Sequence, residues 1–204
     1  MNDLQADGAA RRIAVLLPNW IGDCVMATPC LRAMRRRFPI PHEIIGVMQP
    51  YVADVLRGTS WLDQVVLYDR KSPDPVRRFG GVARTLRRLA VDTFVLTPNS
   101  LSSAWLAWRS GARQRIGYAR NGRSLLLTQR LAAPRSGGKF TPVSAVDYYL
   151  ELAYALGCAA EPRRMELATT PEDRAAADAV WRRYGLDRAQ RVIVLSTGGA
   201  FGAA

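Results

Sequence analysis

The sequence predicts an α/β fold, on two observations. Short apolar runs of strand length recur along the chain, and stretches with the residue spacing of amphipathic helices separate them. That alternation is typical of a layered domain in which helices cover a sheet. The chain has 204 residues, 49% of them hydrophobic, so it can bury a substantial core and hold one domain, or one domain and part of another.

Apolar spacing predicts the elements of the first half. Strands are expected at residues 13–17, 43–48, 64–68 and 93–97. A helix is expected from about Cys24 to Arg37, and Pro29 should kink it because proline interrupts the backbone hydrogen bonds. Shorter helices are expected at residues 51–56, 76–89 and 101–108.

Turn and capping signals predict the elements of the second half. The pair Asn121-Gly122 predicts a hairpin between strands at residues 115–118 and 124–128, and residues 135–139 read as a loop. Helices are expected at residues 144–156 and 171–184, the latter with Thr170 as N-cap and Pro171 in its first turn. A last strand at residues 192–195 leads into a glycine-rich segment.

The domain organisation follows from these elements. Residues 1–12 are small and polar and should form a disordered tail. Residues 13–170 should form one domain, and residues 171–204 should be a helix and the start of a second domain. A buried strand that feeds a glycine-rich loop needs a helix after it, and none follows, so the chain is expected to be truncated there.

The most informative segment is Pro-Asn-Trp-Ile-Gly-Asp at residues 18–23, between the first strand and the first helix. In an open α/β sheet, ligands bind where chain segments leave the carboxyl ends of strands, so Asp23 should face a substrate. Gly22 beside it allows close approach, and Trp20 suits a cleft wall. The alternative is that Asp23 only caps the helix, since aspartate is a preferred N-cap residue.

Cysteine and histidine usage argues against a metal site. The three cysteines, Cys24, Cys30 and Cys158, form no Cys-x-x-Cys pair, and His42 is the only histidine. We therefore expect reduced, buried thiols and no metal. No apolar run is long enough for a signal-peptide core or a membrane span, which predicts a cytoplasmic protein.

The formal charge of +12 leaves two interpretations. In the first, the arginines are scattered over helix faces and are solvated. In the second, they bind an anionic partner such as RNA or an acidic phosphorylated glycolipid. A nucleotide-binding Rossmann module of another class is a further alternative. Against these, Gly-x-Gly-x-x-Gly, a P-loop and RNA-binding motifs are all absent from the sequence.

Several segments, in the right order, resemble one family. The segment Asn19-Trp20-Ile21-Gly22-Asp23 is similar to the N-terminal signature of the ADP-heptose:lipopolysaccharide heptosyltransferases, glycosyltransferase family 9. Further similar segments are residues 61–70, Thr97-Pro98-Asn99-Ser100, Ile116-Gly117-Tyr118 with Arg123, residues 146–153, and Phe201-Gly202 with Ala204. The heptosyltransferase II branch is the most similar, although Thr197, Gly199 and Ala203 depart from the family pattern.

The resemblance implies a GT-B architecture, in which two Rossmann-like domains face a cleft. The N-terminal domain, with a parallel sheet at its core, would bind the lipopolysaccharide inner-core acceptor, and the missing domain would bind ADP-heptose. Such enzymes invert the anomeric centre without a metal or other cofactor, which implies Asp23 as general base. This chain alone would be inactive. The protein would act as a monomer, without nucleic acid, in the cytoplasm or peripherally at the cytoplasmic face of the inner membrane.

Other site residues are expected at strand ends and turns. Asn99 and Ser100 could bind sugar hydroxyls, or form only a turn and a helix cap. Arg120 and Arg123 flank the predicted hairpin turn and could bind acceptor phosphates or acidic sugars, or be solvated; Lys139 has the same two interpretations. The resemblance implies that the backbone of Thr197, Gly198 and Gly199 helps to bind the donor diphosphate.

Overall fold

The computed structural model describes residues 10–136 and 139–195. Most of the predicted disordered tail therefore lies outside the described residues. The chain divides into two compact units, one ending at Ala168 and the other beginning at Thr169. Within the described ranges, every helix is too short or too polar to cross a lipid bilayer.

A six-stranded parallel sheet forms the centre of the first unit. Its strands are β1 (Arg12–Leu16), β2 (Glu43–Met48), β3 (Gln64–Leu67), β4 (Thr93–Leu96), β5 (Gln114–Tyr118) and β6 (Gln129–Leu131). They lie in the order β3-β2-β1-β4-β5-β6, and every neighbouring pair is parallel. The predicted α/β fold with a parallel sheet is confirmed. Because the strand order reverses between β1 and β4, a crevice is expected outside the carboxyl ends of these two strands.

Helices cover both faces of this sheet. In chain order, the helices of the first unit are α1 (Ile21–Met26), α2 (Thr28–Arg37), α3 (Pro50–Leu56), α4 (Phe79–Arg88), α5 (Leu101–Arg109) and α6 (Ala145–Ala155). Alternate residues of β1 point to opposite faces: Ile13 and Val15 pack with α1, α2, α3 and α6, whereas Ala14 and Leu16 pack with α4 and α5. The core therefore has two apolar layers, one on each side of the sheet.

The predicted single helix from Cys24 to Arg37 is wrong, because the chain forms two helices joined at Ala27. Pro29 lies in the first turn of α2, where its missing N–H has no helical acceptor to lose. Proline therefore begins a second helix here and does not kink a continuous one. As a result, Asp23 lies on a short helix of its own directly after β1.

The predicted hairpin is also wrong. Asn121 and Gly122 form a turn with φ angles of 53° and 72°, as the Asn-Gly signal implies, but β5 and β6 are parallel. The residues after the turn are drawn inward: Arg123 is buried, a 3₁₀ turn covers Ser124–Leu126, and Leu127 enters the core. The chain thus crosses to the edge of the sheet before β6 begins. Two short antiparallel strands, β7 (Arg135–Ser136) and β8 (Lys139–Phe140), occupy the predicted loop.

The second unit contains one α-helix in its described part, α7 (Pro171–Arg183). Thr170 caps it as predicted: its hydroxyl accepts from the Asp173 N–H, and the Asp173 carboxylate accepts from the Thr170 N–H. The predicted strand at residues 192–195 is wrong for this structure. Ile193, Val194 and Leu195 are extensively exposed and pair with no strand of residues 10–136 or 139–195.

Candidate active site

A cavity of about 370 Å³ lies at the carboxyl end of the sheet, where the strand order reverses. Its walls come from the segments that follow four parallel strands: Asn19 after β1, Tyr68 and Arg70 after β3, Pro98 to Ser100 after β4, and Asn121 after β5. Open α/β sheets bind ligands at this position. The cavity is therefore the candidate substrate site of the first unit.

Arg123 lies beneath this site and is completely buried, so the prediction of a turn arginine that binds the acceptor is wrong. Its Nε donates to the Tyr118 carbonyl at 2.9 Å, and its terminal nitrogens donate to the Pro98 carbonyl, to Ser103 Oγ at 2.9 Å and to Asn99 Oδ1 at 2.9 Å. Burial lowers the pKa of Arg123 to about 10. The side chain fixes the segment that follows β4 and is not available to a ligand.

Gly117 makes room for this buried guanidinium. A Cβ atom added at residue 117 would lie 3.0 Å from a terminal nitrogen of Arg123 and 3.3 Å from the Cβ of Leu96. A larger residue on β5 would therefore press on the network from below. The absence of a side chain at this one position lets Arg123 reach across the sheet to Asn99.

Asn99 is held on two sides. Besides accepting from Arg123, its side chain donates to the Tyr148 hydroxyl at 2.9 Å and accepts from that hydroxyl at 3.2 Å. Its backbone carbonyl accepts from the Asn121 side chain at 3.0 Å. The Tyr148 ring stacks on Tyr118 with 3.7 Å between ring centroids. The Asn99 side chain is thus fixed by α6 and by Arg123, and it reaches the cavity in one defined orientation.

Ser100 has the capping role that was the alternative for this segment. Its hydroxyl accepts from the Ser103 N–H at 3.2 Å, which makes it the N-cap of α5, and it lies 3.1 Å from the hydroxyl of Ser102. Ser100 and Ser102 also line the cavity. The cap therefore presents a pair of hydroxyl groups to a ligand.

A second cavity, of about 360 Å³, lies on the other side of Asn99 and Tyr148. Arg120 lines it and lies over the ring of Phe140, with 3.9 Å from the guanidinium carbon to the ring centroid. Among the described residues, the buried Nε of Arg120 has no hydrogen-bond partner. Arg120 is half-buried in the wall of a cavity, unlike an arginine on a solvated turn.

Asp23 occupies the first turn of α1, and Trp20, not Asp23, is the N-cap residue. Asp23 is therefore not the N-cap residue, but it stands in the first turn, where a carboxylate interacts favourably with the helix dipole. Its Oδ1 accepts from the hydroxyl of Tyr149 at 3.4 Å. Burial, and then the charge of Asp23, raise the pKa of Tyr149, so the phenol remains a protonated donor.

Consecutive residues of α6 connect the predicted site residues. Tyr148 contacts Asn99 and Tyr149 contacts Asp23, with 6.2 Å between the two ring centroids. Asp23 lines neither of the two cavities. The structure therefore brings Asn99, Ser100 and Arg120 to the cavities, and the tyrosine pair connects Asp23 to Asn99.

Trp20 and Gly22 keep open space around the start of α1. Trp20 is 65% exposed, and a Cβ atom added at Gly22 would meet nothing within 4 Å. The other predicted site residues cannot be placed. The side chain of Lys139, and Thr197, Gly198 and Gly199, lie outside what the structure describes.

Neither metal nor thiol chemistry has a site in the described residues. Residues 10–136 and 139–195 contain no group of three or more His, Cys, Asp or Glu side chains that could hold a metal ion. The three cysteines are buried and free, as predicted. Burial raises the pKa of Cys24, the neighbour of Asp23, to about 12, so this thiol stays protonated and is a poor nucleophile.

Comparison with known families decides the class of the protein. The sequence model of glycosyltransferase family 9 (heptosyltransferase) matches residues 79–200, more than half of the chain. The chain belongs to glycosyltransferase family 9. The match includes Asn99, Arg120 and the tyrosine pair of α6, and it begins after Asp23. None of the curated proteins matches the chain.

Solved structures of this family share the fold. A family 9 glycosyltransferase from Veillonella parvula is 19% identical with a TM-score of 0.71, covering 94% of this chain and 54% of its own. Heptosyltransferase II from E. coli is 19% identical, with a TM-score of 0.64, 83% of this chain covered and 50% of its own. E. coli heptosyltransferase WaaC, solved with ADP-2-deoxy-2-fluoro heptose, is 17% identical, with a TM-score of 0.55, 76% of this chain covered and 50% of its own. This chain spans about half the length of these structures.

Two residues of the site were not predicted from the sequence. Tyr148 and Tyr149 lie in a segment that resembles the family, but aromatic residues on an amphipathic helix are usually read as core. Tyr149 is buried as that reading implies, yet its hydroxyl reaches Asp23. A buried tyrosine needs a partner for its hydroxyl, and that requirement is the signal that could have identified it.

Proposed function

We propose that this chain is the acceptor-binding half of an inverting heptosyltransferase that transfers heptose from ADP-heptose to the inner core of lipopolysaccharide. Family membership supports the reaction class, and the cavity at the strand-order reversal supports a substrate site on this half. The observation that carries the proposal is the Asp23 carboxylate. It lies in the first turn of the helix that follows β1, it is not the N-cap residue, and it accepts a hydrogen bond from Tyr149.

In this proposal Asp23 is the general base. The carboxylate takes the proton from an acceptor hydroxyl as that oxygen attacks the anomeric carbon of heptose. A new C–O bond forms, the bond to the diphosphate breaks, and ADP leaves with the electron pair. A positioned base contributes about 10²- to 10⁴-fold to the rate of such a step.

The acceptor contacts follow from the walls of the two cavities. Asn99 and the hydroxyl of Ser100 would bind sugar hydroxyls, and Arg120 would pair with a phosphate or an acidic sugar. Exposed Trp20 would pack against a sugar face. Lys139 would add charge for the acceptor. The backbone at Thr197 to Gly199 would contact the donor diphosphate.

The acceptor also defines where the protein would work. Inner-core lipopolysaccharide is anchored by its lipid, so the protein, as a monomer, would meet it from the cytoplasm at the face of the inner membrane. Donor binding would need residues beyond the described sheet, because this chain spans about half the length of the related structures. We therefore expect no heptose transfer by these 204 residues alone.

A transfer assay tests this proposal. A protein that carries these residues followed by a donor-binding domain should transfer heptose from ADP-heptose to a heptose-deficient inner-core acceptor with inversion at the anomeric carbon. Nuclear magnetic resonance of the product gives the configuration. Retention of configuration, or transfer by the 204-residue chain alone, would contradict the proposal.

Tyr149 provides a finer test of how Asp23 is held. In the active protein, Tyr149→Phe should reduce turnover about tenfold, because a hydrogen bond to a charged group contributes about 1.5 kcal/mol when it is long. The phenyl ring keeps the packing of α6, so the melting temperature should change little. Tyr184→Phe removes the hydroxyl of an exposed tyrosine that follows α7 and should leave turnover unchanged. Equal turnover of both variants would show that Tyr149 does not position the base.

A further inference from the structure

The net positive charge of the protein arises in one part of the chain. Residues 75–146 contain 13 arginines and lysines and a single acidic residue, Asp92. The other residues contain 16 basic and 16 acidic side chains, so the formal net charge of +12 arises entirely from residues 75–146. This charged segment includes α4 and α5, which pack against each other.

The outer face of α5 is apolar and exposed. Leu101, Trp105 and Trp108 follow the i, i+4, i+7 spacing of one helix face, and they are 51%, 48% and 48% exposed. The two indole rings contact each other edge to face, with 5.8 Å between centroids. The opposite face of α5 is already packed in the core through Ala104, Leu106 and Ala107. A helix with one buried face thus carries a second apolar face that nothing in the described chain covers.

Three arginines lie together at the end of α5 that follows Trp108. Arg84 and Arg87 of α4 and Arg109 of α5 line one shallow depression, and all three are exposed. None of them forms an ion pair with another residue in the described ranges. We call Leu101, Trp105, Trp108 and these three arginines the α5 surface. Helices that lie in the interface of an anionic bilayer combine tryptophan and leucine with unpaired arginines, as this surface does.

We propose that the α5 surface docks the protein on a membrane rich in anionic phospholipid. The tryptophans and Leu101 enter the headgroup region, and the arginines pair with lipid phosphates. The position of the surface supports this occupant. Leu101 directly follows Ser100, which lines the cavity at the sheet edge, so docking places that cavity next to the bilayer. A lipid-anchored sugar could then enter the site while its acyl chains remain in the membrane.

The proposed function explains why the protein would bind a membrane, and the inference rests on it in that respect only. Binding to lipid can be measured without acceptor, donor or activity, so each proposal can fail separately. The 204-residue chain should co-sediment with vesicles of phosphatidylcholine containing 30 mol % phosphatidylglycerol and bind pure phosphatidylcholine much more weakly. Binding should weaken as salt is added.

Variants separate the two components of the surface. Arg84→Gln, Arg87→Gln and Arg109→Gln together should weaken binding about 100-fold, since each arginine near an anionic surface contributes about fivefold. Trp105→Ala with Trp108→Ala should weaken it at least about tenfold, since both rings leave the interface. Trp181→Ala removes a similarly exposed tryptophan of the second unit and should leave binding unchanged. Circular dichroism and melting curves check that each variant folds.

Three outcomes would overturn this assignment. The first is absence of binding to the anionic vesicles by the folded wild-type chain. The second is binding of RNA, in a filter assay, that needs the arginines while vesicles are not bound. The third is a pair of results for the double tryptophan variant: it abolishes a dimer that light scattering detects in the wild-type chain, and it leaves vesicle binding unchanged.

Discussion

Replacing Arg123 by alanine is expected to lower the free energy of unfolding by about 3–5 kcal/mol, the largest stability effect we predict. The wild-type side chain is fully buried and donates to Tyr118, Pro98, Ser103 and Asn99. Alanine would remove these buried hydrogen bonds and create a cavity beneath the segment that follows β4. Such a loss is a large fraction of the stability of a typical domain, about 5–15 kcal/mol. Urea unfolding followed by circular dichroism measures it.

Two further variants make this result interpretable. Arg130→Ala removes an exposed arginine of β6 and should change the free energy of unfolding by no more than about 0.5 kcal/mol. Arg123→Met keeps much of the volume but donates no hydrogen bond, so it should still cost about 2 kcal/mol or more. An Arg123→Ala protein as stable as wild type would contradict the structural role that we assign to this residue.

The second large effect is on catalysis. In a protein that carries this chain with a donor-binding domain, Asp23→Asn should reduce turnover by about 10²- to 10⁴-fold, because asparagine cannot accept the proton of the acceptor hydroxyl. Asparagine has the same shape and can still accept a hydrogen bond from Tyr149, so the fold should remain. Steady-state kinetics and a melting curve of the same sample give both quantities.

The kinetic pattern distinguishes a base from a structural residue. Loss of the base should lower kcat with little change in the Michaelis constant of the acceptor. Asp54→Asn, which changes a carboxylate on α3, is the matched control and should leave kcat unchanged. Turnover of Asp23→Asn equal to that of wild type, or a large fall in its melting temperature, would remove Asp23 from the catalytic role.

The parts of the fold that the sequence predicted are those set by local patterns. The central strands are continuous apolar runs, and buried parallel strands have that composition. The position of Asp23 followed from the order strand, loop, helix, which alone places a residue at the carboxyl edge of a sheet. The cap of α7 at Thr170 followed from the Thr-Pro pair, with threonine a preferred N-cap residue and proline suited to the first turn.

The errors arose where tertiary contacts override local signals. Asn121-Gly122 forms the turn that it predicts, but burial of Arg123 and Leu127 takes the chain to a parallel strand. An arginine after a turn is usually solvated, and nothing local reveals that four acceptors surround this one. The helix break at Ala27 depends on where Pro29 falls within a turn. The role of Tyr149 depends on a contact with a residue 126 positions away in the chain.

Calorimetric titration of the 204-residue chain with a deacylated, heptose-deficient inner-core oligosaccharide tests the central claim most directly. That acceptor is soluble and carries no lipid, so the α5 surface does not contribute to its binding. We predict that the chain binds this acceptor and that ADP-heptose gives no measurable heat. Arg120→Gln should weaken acceptor binding about tenfold, because it removes one charge-assisted contact, and Arg130→Gln should leave it unchanged. Binding of ADP-heptose without binding of the acceptor would contradict the assignment of this half to the acceptor.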